Sequence, residues 1–178
     1  MIDKKRIIIF FIFMGLFSVS YQIGAISPIS EDEASQSLEE FKNILGGIDG
    51  FGLFIHNLTI ALPMFIPGFG VAWGLFTGWS TGFAFASIIT SISTLSNFPP
   101  LAILYFSPFG IMEIIAYSLG ISRSYMIIYT ILKNRSIKPQ LLVTGIEIGI
   151  VFVLLLAAGY IEFAMIDATN TVPNVEDL

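Results

Sequence analysis

Residues 68–82 read GFGVAWGLFTGWSTG and contain a regular repeat of the smallest residue. A glycine recurs at every fourth position, at Gly70, Gly74, Gly78 and Gly82. On a helix this spacing places all four glycines on one face. In lipid no hydrophobic force drives helices together. Helices associate there partly through dispersion contacts, which small residues strengthen because they let two backbones approach closely. The repeat predicts a second helix along this glycine stripe, either from the same chain or from a partner subunit or second copy.

The composition of the whole chain indicates that this helix lies in a membrane. Of 178 residues, 55% are hydrophobic and 12% are charged, whereas a soluble domain carries about 25% charged residues. So few polar residues cannot cover a surface in water, but lipid solvates apolar faces. Cysteine is absent, which excludes disulfides, thiolate catalysis and iron–sulfur clusters. We predict an all-α, polytopic membrane helical bundle that forms a single membrane domain over residues 1–178.

Five apolar stretches are predicted to cross the bilayer, since a span needs about 20 mainly apolar residues. Their bounds are 7–26, 51–67, 68–92, 101–119 and 141–161. The ring of Pro108 removes a backbone donor and clashes with the preceding turn, so we expect the fourth helix to be broken there. Residues 120–132 are too short to span unaided and are predicted to continue the fourth span or to lie at the interface.

The acidic segment 27–50 should lie outside the bilayer and carry a short amphipathic surface helix. Ser30 and Glu33 have the spacing of a capping box, which marks a helix N-terminus. The apolar residues that follow at helical spacing are Ala34, Leu38, Phe41 and Leu45, and Gly46 and Gly47 end the run. We predict that this helix packs on neighbouring spans; docking of a partner is the alternative.

The orientation follows from the positions of the cations. Six of the eight Lys and Arg residues form two clusters, which are Lys4, Lys5 and Arg6, and Lys133, Arg135 and Lys138. Cytoplasmic loops carry an excess of such residues, so both clusters and the N-terminus should be cytoplasmic. Five crossings of the cell membrane then place the acidic tail, residues 162–178, on the extracytoplasmic side. The first cluster with Ala25 also fits a cleaved signal peptide, but we interpret 7–26 as an uncleaved anchor.

Ionisable residues occur within the apolar stretches, at His56, Glu113, Arg123 and Glu147. Each costs about 2.5 to 3.5 kcal/mol or more when it faces lipid, so these side chains should face the bundle interior or reach the interface. Glu113 is favoured as the functional residue because it follows the break at Pro108. A protonated Glu113 hydrogen-bonded to a neighbouring helix is one interpretation, and an ion or proton relay through Glu113 and Glu147 is another.

The chain contains no motif for catalysis, cofactor binding or metal binding. His56 stands alone, whereas a metal site needs several converging ligands, and Asn57 beside it is suited to bridging helices. No catalytic Ser, His and Asp set and no phosphate-binding loop is present. The eight Lys and Arg residues form no basic face of the size that nucleic acid requires. We predict no catalytic residue, no cofactor, no metal, no nucleic-acid partner and no enzymatic activity.

Residues 51–124 resemble the stage II sporulation protein M family of integral membrane proteins. The resemblance rests on FIHNLTIA at residues 54–61, on the glycine-rich helix, and on a Pro-His-Gly-x-x-Glu signature that reads PFGIME at residues 108–113. It marks Asn57, Pro108, Gly110 and Glu113 as the membrane-embedded motif of a core at residues 51–132. Phe109 replaces the histidine of the family, so proton handling or metal contact by an imidazole is not expected here.

The resemblance implies a non-enzymatic polytopic protein, and in sporulating bacteria the family works with cell-wall hydrolases in a complex that remodels the envelope. We therefore predict a scaffold or accessory subunit of a membrane complex. Its partners would be the lipid bilayer and either other membrane proteins or a second copy docked on the glycine stripe. Two alternatives remain open: a small ion or solute transporter or channel that uses Glu113, and a metal-free accessory subunit of a membrane oxidoreductase.

Overall fold

The computed structural model describes residues 4–30, 32–37, 39, 47–91 and 99–170, and every regular element in these ranges is a helix. The helices are α1 Lys4–Ala25, α2 Gly50–Ala61, α3 Phe69–Ser91, α4 Pro100–Phe106, α5 Pro108–Leu132 and α6 Lys138–Asn170. A 3-10 turn, Leu62–Phe65, extends α2. The all-helical fold predicted from the sequence is confirmed.

Three helices of the described part of the chain are long and apolar enough to cross a membrane. They are Lys4–Ala25, Pro108–Leu132 and Lys138–Ala168. Helix α3 is 23 residues long, but its glycines, serines and threonines lower its mean hydropathy. The apolar segment Gly50–Phe65 is shorter. Length and hydropathy together therefore support three of the five predicted crossings.

The chain breaks at Ser107, directly before Pro108. The Ser107 hydroxyl accepts a hydrogen bond from the Gly110 amide at 3.1 Å and so caps α5. Pro108 occupies the first turn of α5, where its missing amide hydrogen costs nothing. The 25-residue helix α5 differs from the predicted span at residues 101–119, because it starts later and includes residues 120–132 as an uninterrupted continuation.

Helix α5 is central, and ring contacts fix its direction relative to α1. The rings of Phe13 and Tyr125 lie 5.3 Å apart, and those of Phe17 and Tyr117 lie 5.7 Å apart. The residue number rises along α1 while it falls along α5, so the two helices are antiparallel. Helix α6 follows α5 after the short connection at residues 133–137 and packs beside it in the opposite direction.

Helix α2 runs parallel to α5. The Asn57 amide meets Glu113 at 2.6 Å, and the Ser124 hydroxyl donates to the Ile66 carbonyl at 2.6 Å. Both residue numbers therefore rise in the same direction. The chain then reverses at Gly68, which has a φ of 79° that suits glycine. Helix α3 returns antiparallel to α5, so α1, α2, α3, α5 and α6 alternate in direction along the chain.

The C-terminal half of the glycine stripe, Gly78 and Gly82, packs against α1. Gly78 lies against Phe17, and Gly82 lies against the backbone of Tyr21 and Ala25. Gly24 on α1 faces back onto the backbone of α3. Because neither helix carries a Cβ at these points, the two backbones approach closely and form the most extensive helix pair of the fold.

The N-terminal half of the stripe, Gly70 and Gly74, also packs against other residues of this chain. Gly70 faces the backbone of Met64, and Gly74 faces the side chain of Ile121 on α5. Met64 and Ile121 are both fully buried. The stripe therefore lies along elements of this chain over its whole length.

The capping box of the acidic segment forms as a reciprocal pair. The Ser30 hydroxyl donates to the Glu33 carboxylate at 2.7 Å, and the Glu33 amide donates back to that hydroxyl at 3.3 Å. The hydroxyl and amide of Ser30 lower the pKa of Glu33 from its usual value. Residues 32–37 are helical and Ala34 is buried. The remaining predicted residues of this helix, apart from Gly47, lie outside the described residues: Leu38, Phe41, Leu45 and Gly46.

Helix α6 extends well beyond the predicted end of the last span at residue 161. It has 33 residues and ends at Asn170, so the first part of the predicted acidic tail is helical. Between Pro139 and Pro173 no proline interrupts the chain, and proline is the residue that most strongly ends a helix. Residues 171–178 lie outside the described part of the chain.

The close approach of α1 and α3 predicts that Gly82→Ala destabilises the bundle. A Cβ at Gly82 would overlap the Tyr21 carbonyl oxygen and lie 2.8 Å from the Ala25 nitrogen, and overpacking of this kind costs about 1–3 kcal/mol. The control is Gly15→Ala, because nothing lies within 4 Å of a Cβ there. Unfolding in detergent, followed by circular dichroism, should show a loss only for Gly82→Ala. Equal stability of the two variants would contradict the packing.

Candidate functional site

A buried ionic network joins α1, α5 and α6. Arg123 on α5 holds the Glu147 carboxylate of α6 with two hydrogen bonds, from Nε to Oε2 and from Nη2 to Oε1, both at 2.6 Å. Arg6 on α1 approaches the same carboxylate, with its Nε 2.8 Å from Oε1. The side chains of Arg6, Arg123 and Glu147 are 11%, 3% and 9% exposed. Three helices thus converge on one carboxylate.

Arg6 makes further contacts with the backbone and side chains of α5. Its Nη1 donates to the Ser122 hydroxyl at 2.7 Å, and its Nη2 lies 3.4 Å from the Leu119 carbonyl. Ser122 in turn donates to the Ser118 carbonyl. These groups satisfy guanidinium donors that Glu147 does not reach. Because the donors are paired, Arg6 can lie inside the bundle at the first turn of α1.

The network carries an excess of one positive charge, since two guanidinium groups face one carboxylate. A buried ion pair gains little over apolar packing, but removal of one partner leaves a buried charge without compensation. The bidentate geometry at Arg123 also fixes the rotation of α5 against α6. The arrangement therefore specifies how the three helices dock rather than providing a reactive group.

Arg6 was predicted from the sequence to belong to the cytoplasmic basic cluster, and its place in the bundle interior was not predicted. A signal for that role is present in the helical period of α1. Arg6 shares one face with Ile9, Phe13 and Phe17, which are all buried. Lys4 and Lys5 are exposed by contrast. The periodicity could have separated Arg6 from its neighbours, but not have named Glu147 as its partner.

Asn57 and Glu113 of the predicted membrane-embedded motif are in direct contact. The Asn57 amide nitrogen donates to Glu113 Oε1 at 2.6 Å, which links α2 to α5. Asn57 is buried and Glu113 is half-buried. Tyr117, one turn further along α5, is buried next to this pair. The contact matches the bridging role expected for Asn57 and gives Glu113 a donor on a neighbouring helix.

Pro108 and Gly110 act on the backbone of the same motif. Pro108 starts α5, and Gly110 donates its amide hydrogen to Ser107. A Cβ at Gly110 would overlap the Leu104 carbonyl oxygen of α4. The missing side chain allows α4 to fold back onto the first turn of α5. These two residues position Glu113 within the helix but do not touch its carboxyl group in any contact that the structure describes.

The predicted relay between Glu113 and Glu147 is not assembled in this structure. Glu147 binds Arg123, which lies roughly ten residues from Glu113 along α5, or about 15 Å at 1.5 Å per residue. The contact that the structure describes for the Glu113 carboxyl group is instead with Asn57 of α2. The two carboxylates named from the sequence therefore belong to separate clusters.

His56 points away from the bundle. It is exposed on α2 beside the exposed side chains of Ile55 and Thr59, whereas Asn57 on the inner face is buried. Within the described residues, no group of three His, Cys, Asp or Glu side chains could hold a metal ion. His56 is thus a polar residue on the outer surface of an apolar helix.

Comparison with known proteins gives no relative, since no family model, no curated protein and no solved structure matches the chain.

The ionic network predicts unequal effects for its members. Glu147→Gln should lower the free energy of unfolding by about 3–5 kcal/mol, because it leaves two buried guanidinium groups unpaired. Arg6→Gln should cost less, since the bidentate pair of Arg123 and Glu147 stays intact. Arg135→Gln is the control, because Arg135 is an exposed arginine at the same end. Denaturant titration in detergent measures all three, and a Glu147→Gln loss no larger than the Arg135→Gln loss would rule out the network as a structural determinant.

Proposed function

We propose that the chain is a non-enzymatic integral membrane protein that acts as a scaffold or accessory subunit of a membrane complex. The observation that carries this proposal is the outward face of α2, where His56 lies on a helix surface that is otherwise mainly apolar. The resemblance of residues 51–124 to the stage II sporulation protein M family, whose sporulating members act within an envelope complex, supports the same proposal.

The two faces of α2 have different roles. The inner face is buried in the bundle and comprises Leu53, Phe54, Asn57 and Ala61. The outer face exposes Phe51 at 51% and Ile55 at 41%, together with His56 and Thr59. The apolar members are compatible with lipid, whereas the imidazole of His56 is not.

An imidazole that faces lipid is costly, and ionisable side chains in membrane segments nearly always face protein or water. His56 lies about 9 Å from the start of α2 at 1.5 Å per residue. Among the described residues, no hydrogen bond to the imidazole is seen. A polar group on a partner helix would supply that hydrogen bond, so the outer face of α2 is the docking surface that we propose. The glycine stripe packs against elements of this chain, so we propose the outer face of α2 rather than the stripe.

We further propose five crossings with a cytoplasmic N-terminus and an extracytoplasmic C-terminus in the cell membrane. The alternation of α1, α2, α3, α5 and α6 supports this count, since each runs opposite to the one before it. The two basic clusters meet at one end of the bundle, where Lys5 and Lys133 both approach the ring of Tyr129, at 5.1 and 5.8 Å. Asp49 and Glu162 lie toward the opposite end, and this asymmetry fits a cytoplasmic basic end.

Site-specific crosslinking in native membranes tests the docking surface. A photoreactive residue at His56 or Thr59 should form a discrete adduct of higher mass, because a partner helix covers this face. The control position is Val153, which is 65% exposed on α6 and is not part of the proposed docking surface on α2.

Mass spectrometry of the adduct would identify either another membrane protein or a second copy of the chain. His56→Leu should weaken copurification of that protein in mild detergent without a change in helix content. If His56, Thr59 and Val153 all label lipid alone, the docking surface is wrong.

A small transporter or channel is a second candidate, and the Glu113 carboxyl group held by Asn57 between α2 and α5 favours it. The Asn57 amide and the Glu113 carboxyl form a polar contact between two apolar helices that a cation or proton could use. In proteoliposomes, Glu113→Gln should then abolish proton or cation flux while the fold is kept, since glutamine still accepts the hydrogen bond from Asn57. Flux that is absent in the wild type, or unchanged in the variant, would remove this candidate.

A further inference from the structure

A cavity of about 940 Å³ opens between α1, α5 and α6 at the basic end of the bundle. Its volume is comparable with that of ligand pockets in proteins, which measure about 300–1,000 Å³. The α1 wall is apolar and includes Ile8, Ile12 and Phe13. The α5 wall contributes Tyr125, Met126 and Thr130, and Gln140 of α6 donates a hydrogen bond to the Thr130 hydroxyl at the end where the cations lie. The interior of the cavity therefore suits a hydrocarbon chain.

The mouth of the cavity has the opposite character. Lys4, Lys5 and Arg135 line it, and all three are exposed. No acidic residue is among the lining residues in the part of the chain that the structure describes. Tyr129 lies beside them, with the Lys5 ammonium 5.1 Å from its ring centre. Tyrosine with lysine is typical of the level at which lipid headgroups lie.

The nearest acidic side chain of α6 does not oppose an anion at this mouth. Glu147 is held by Arg123 and Arg6 in the adjacent network. That network has one positive charge in excess, so its field adds to that of the lysines. The cavity thus combines a cationic mouth with an apolar interior, and the order along α1 is the order of headgroup and acyl chain in a leaflet.

We propose that this cavity binds one phospholipid with an anionic headgroup, with the phosphate at Lys4, Lys5 and Arg135 and an acyl chain against Ile8 and Ile12. A lipid without net charge would gain little from the three cations. A small soluble anion would gain nothing from contact with the apolar walls. Basic pockets between membrane helices on the cytoplasmic side are suited to acidic headgroups. The proposal is independent of the docking surface on α2.

Native mass spectrometry of the delipidated protein tests the proposal with three probes, which are phosphatidylglycerol, phosphatidylcholine of the same acyl chains, and glycerol phosphate. We expect one phosphatidylglycerol per chain, bound at least about tenfold more tightly than phosphatidylcholine, since three basic residues near the headgroup attract the lipid with a net negative charge. Glycerol phosphate should not bind measurably, because it lacks the acyl chain.

Two double variants separate the cavity from the general charge of this end. Lys4→Gln with Arg135→Gln removes two cations that line the mouth, and Lys133→Gln with Lys138→Gln removes two exposed cations that do not line it. The first pair should reduce the preference for phosphatidylglycerol several-fold, to about fivefold or less over phosphatidylcholine, since only Lys5 of the three cations remains at the mouth. The second pair should keep most of the preference.

Three results would overturn the proposal. The first is equal affinity of the wild type for phosphatidylglycerol and phosphatidylcholine. The second is binding of glycerol phosphate as tight as that of the lipid, which would indicate a soluble anion instead. The third is an equal loss in both double variants, which would indicate a diffuse surface charge. The comparison of the three probes uses the wild-type chain alone, so it decides the proposal even if a variant fails to fold.

Discussion

The buried interaction of Glu147 with Arg123 and Arg6 is the constraint on which the arrangement of the bundle depends. A lone carboxylate or guanidinium group in lipid is costly, so each of these side chains requires the helix that carries its partner. Arg123 fixes α5 against α6 with a bidentate pair. Arg6 then attaches the start of α1 to both. Because ion pairs have strict geometry, they select one docking of the helices among the many that apolar packing would tolerate.

Close packing at glycine determines the other side of α1. Gly78 and Gly82 let α3 approach the backbone of α1, and Gly24 does the same from α1. One helix is therefore held by charge near its start and by dispersion contacts near its end. The two mechanisms are complementary, since the hydrogen-bonded ion pairs fix the rotation of one helix against another, whereas the glycines allow two helix backbones to approach closely. An N-terminal apolar helix that resembles a simple anchor in sequence is thus an integral part of the core.

The sequence predicted those features that depend on local patterns. Apolar length and the fourfold glycine repeat are local, and so are the capping box at Ser30 and the break next to Pro108. The partners of Arg6 were not predictable in the same way, because Arg6 and Glu147 are 141 residues apart and no periodicity connects them. Arg6 also follows two lysines, and this context favoured a cytoplasmic position. The bounds of α5 differ from the predicted span at residues 101–119, because Arg123 is neutralised by Glu147 and residues 120–132 continue the helix.

The burial of Arg6 removes one exposed positive charge from the end of the bundle that was predicted to be cytoplasmic, but that end stays positive. Lys4 and Lys5 remain exposed at the basic end, together with Lys133, Arg135 and Lys138. Glu147, which would otherwise offset them, is bound by two arginines. The same network that orders the helices therefore leaves the exposed charge of this end positive. A positive end favours a cytoplasmic orientation and attracts acidic headgroups, so the observed helix docking, the proposed topology and the proposed lipid contact all depend on one set of contacts.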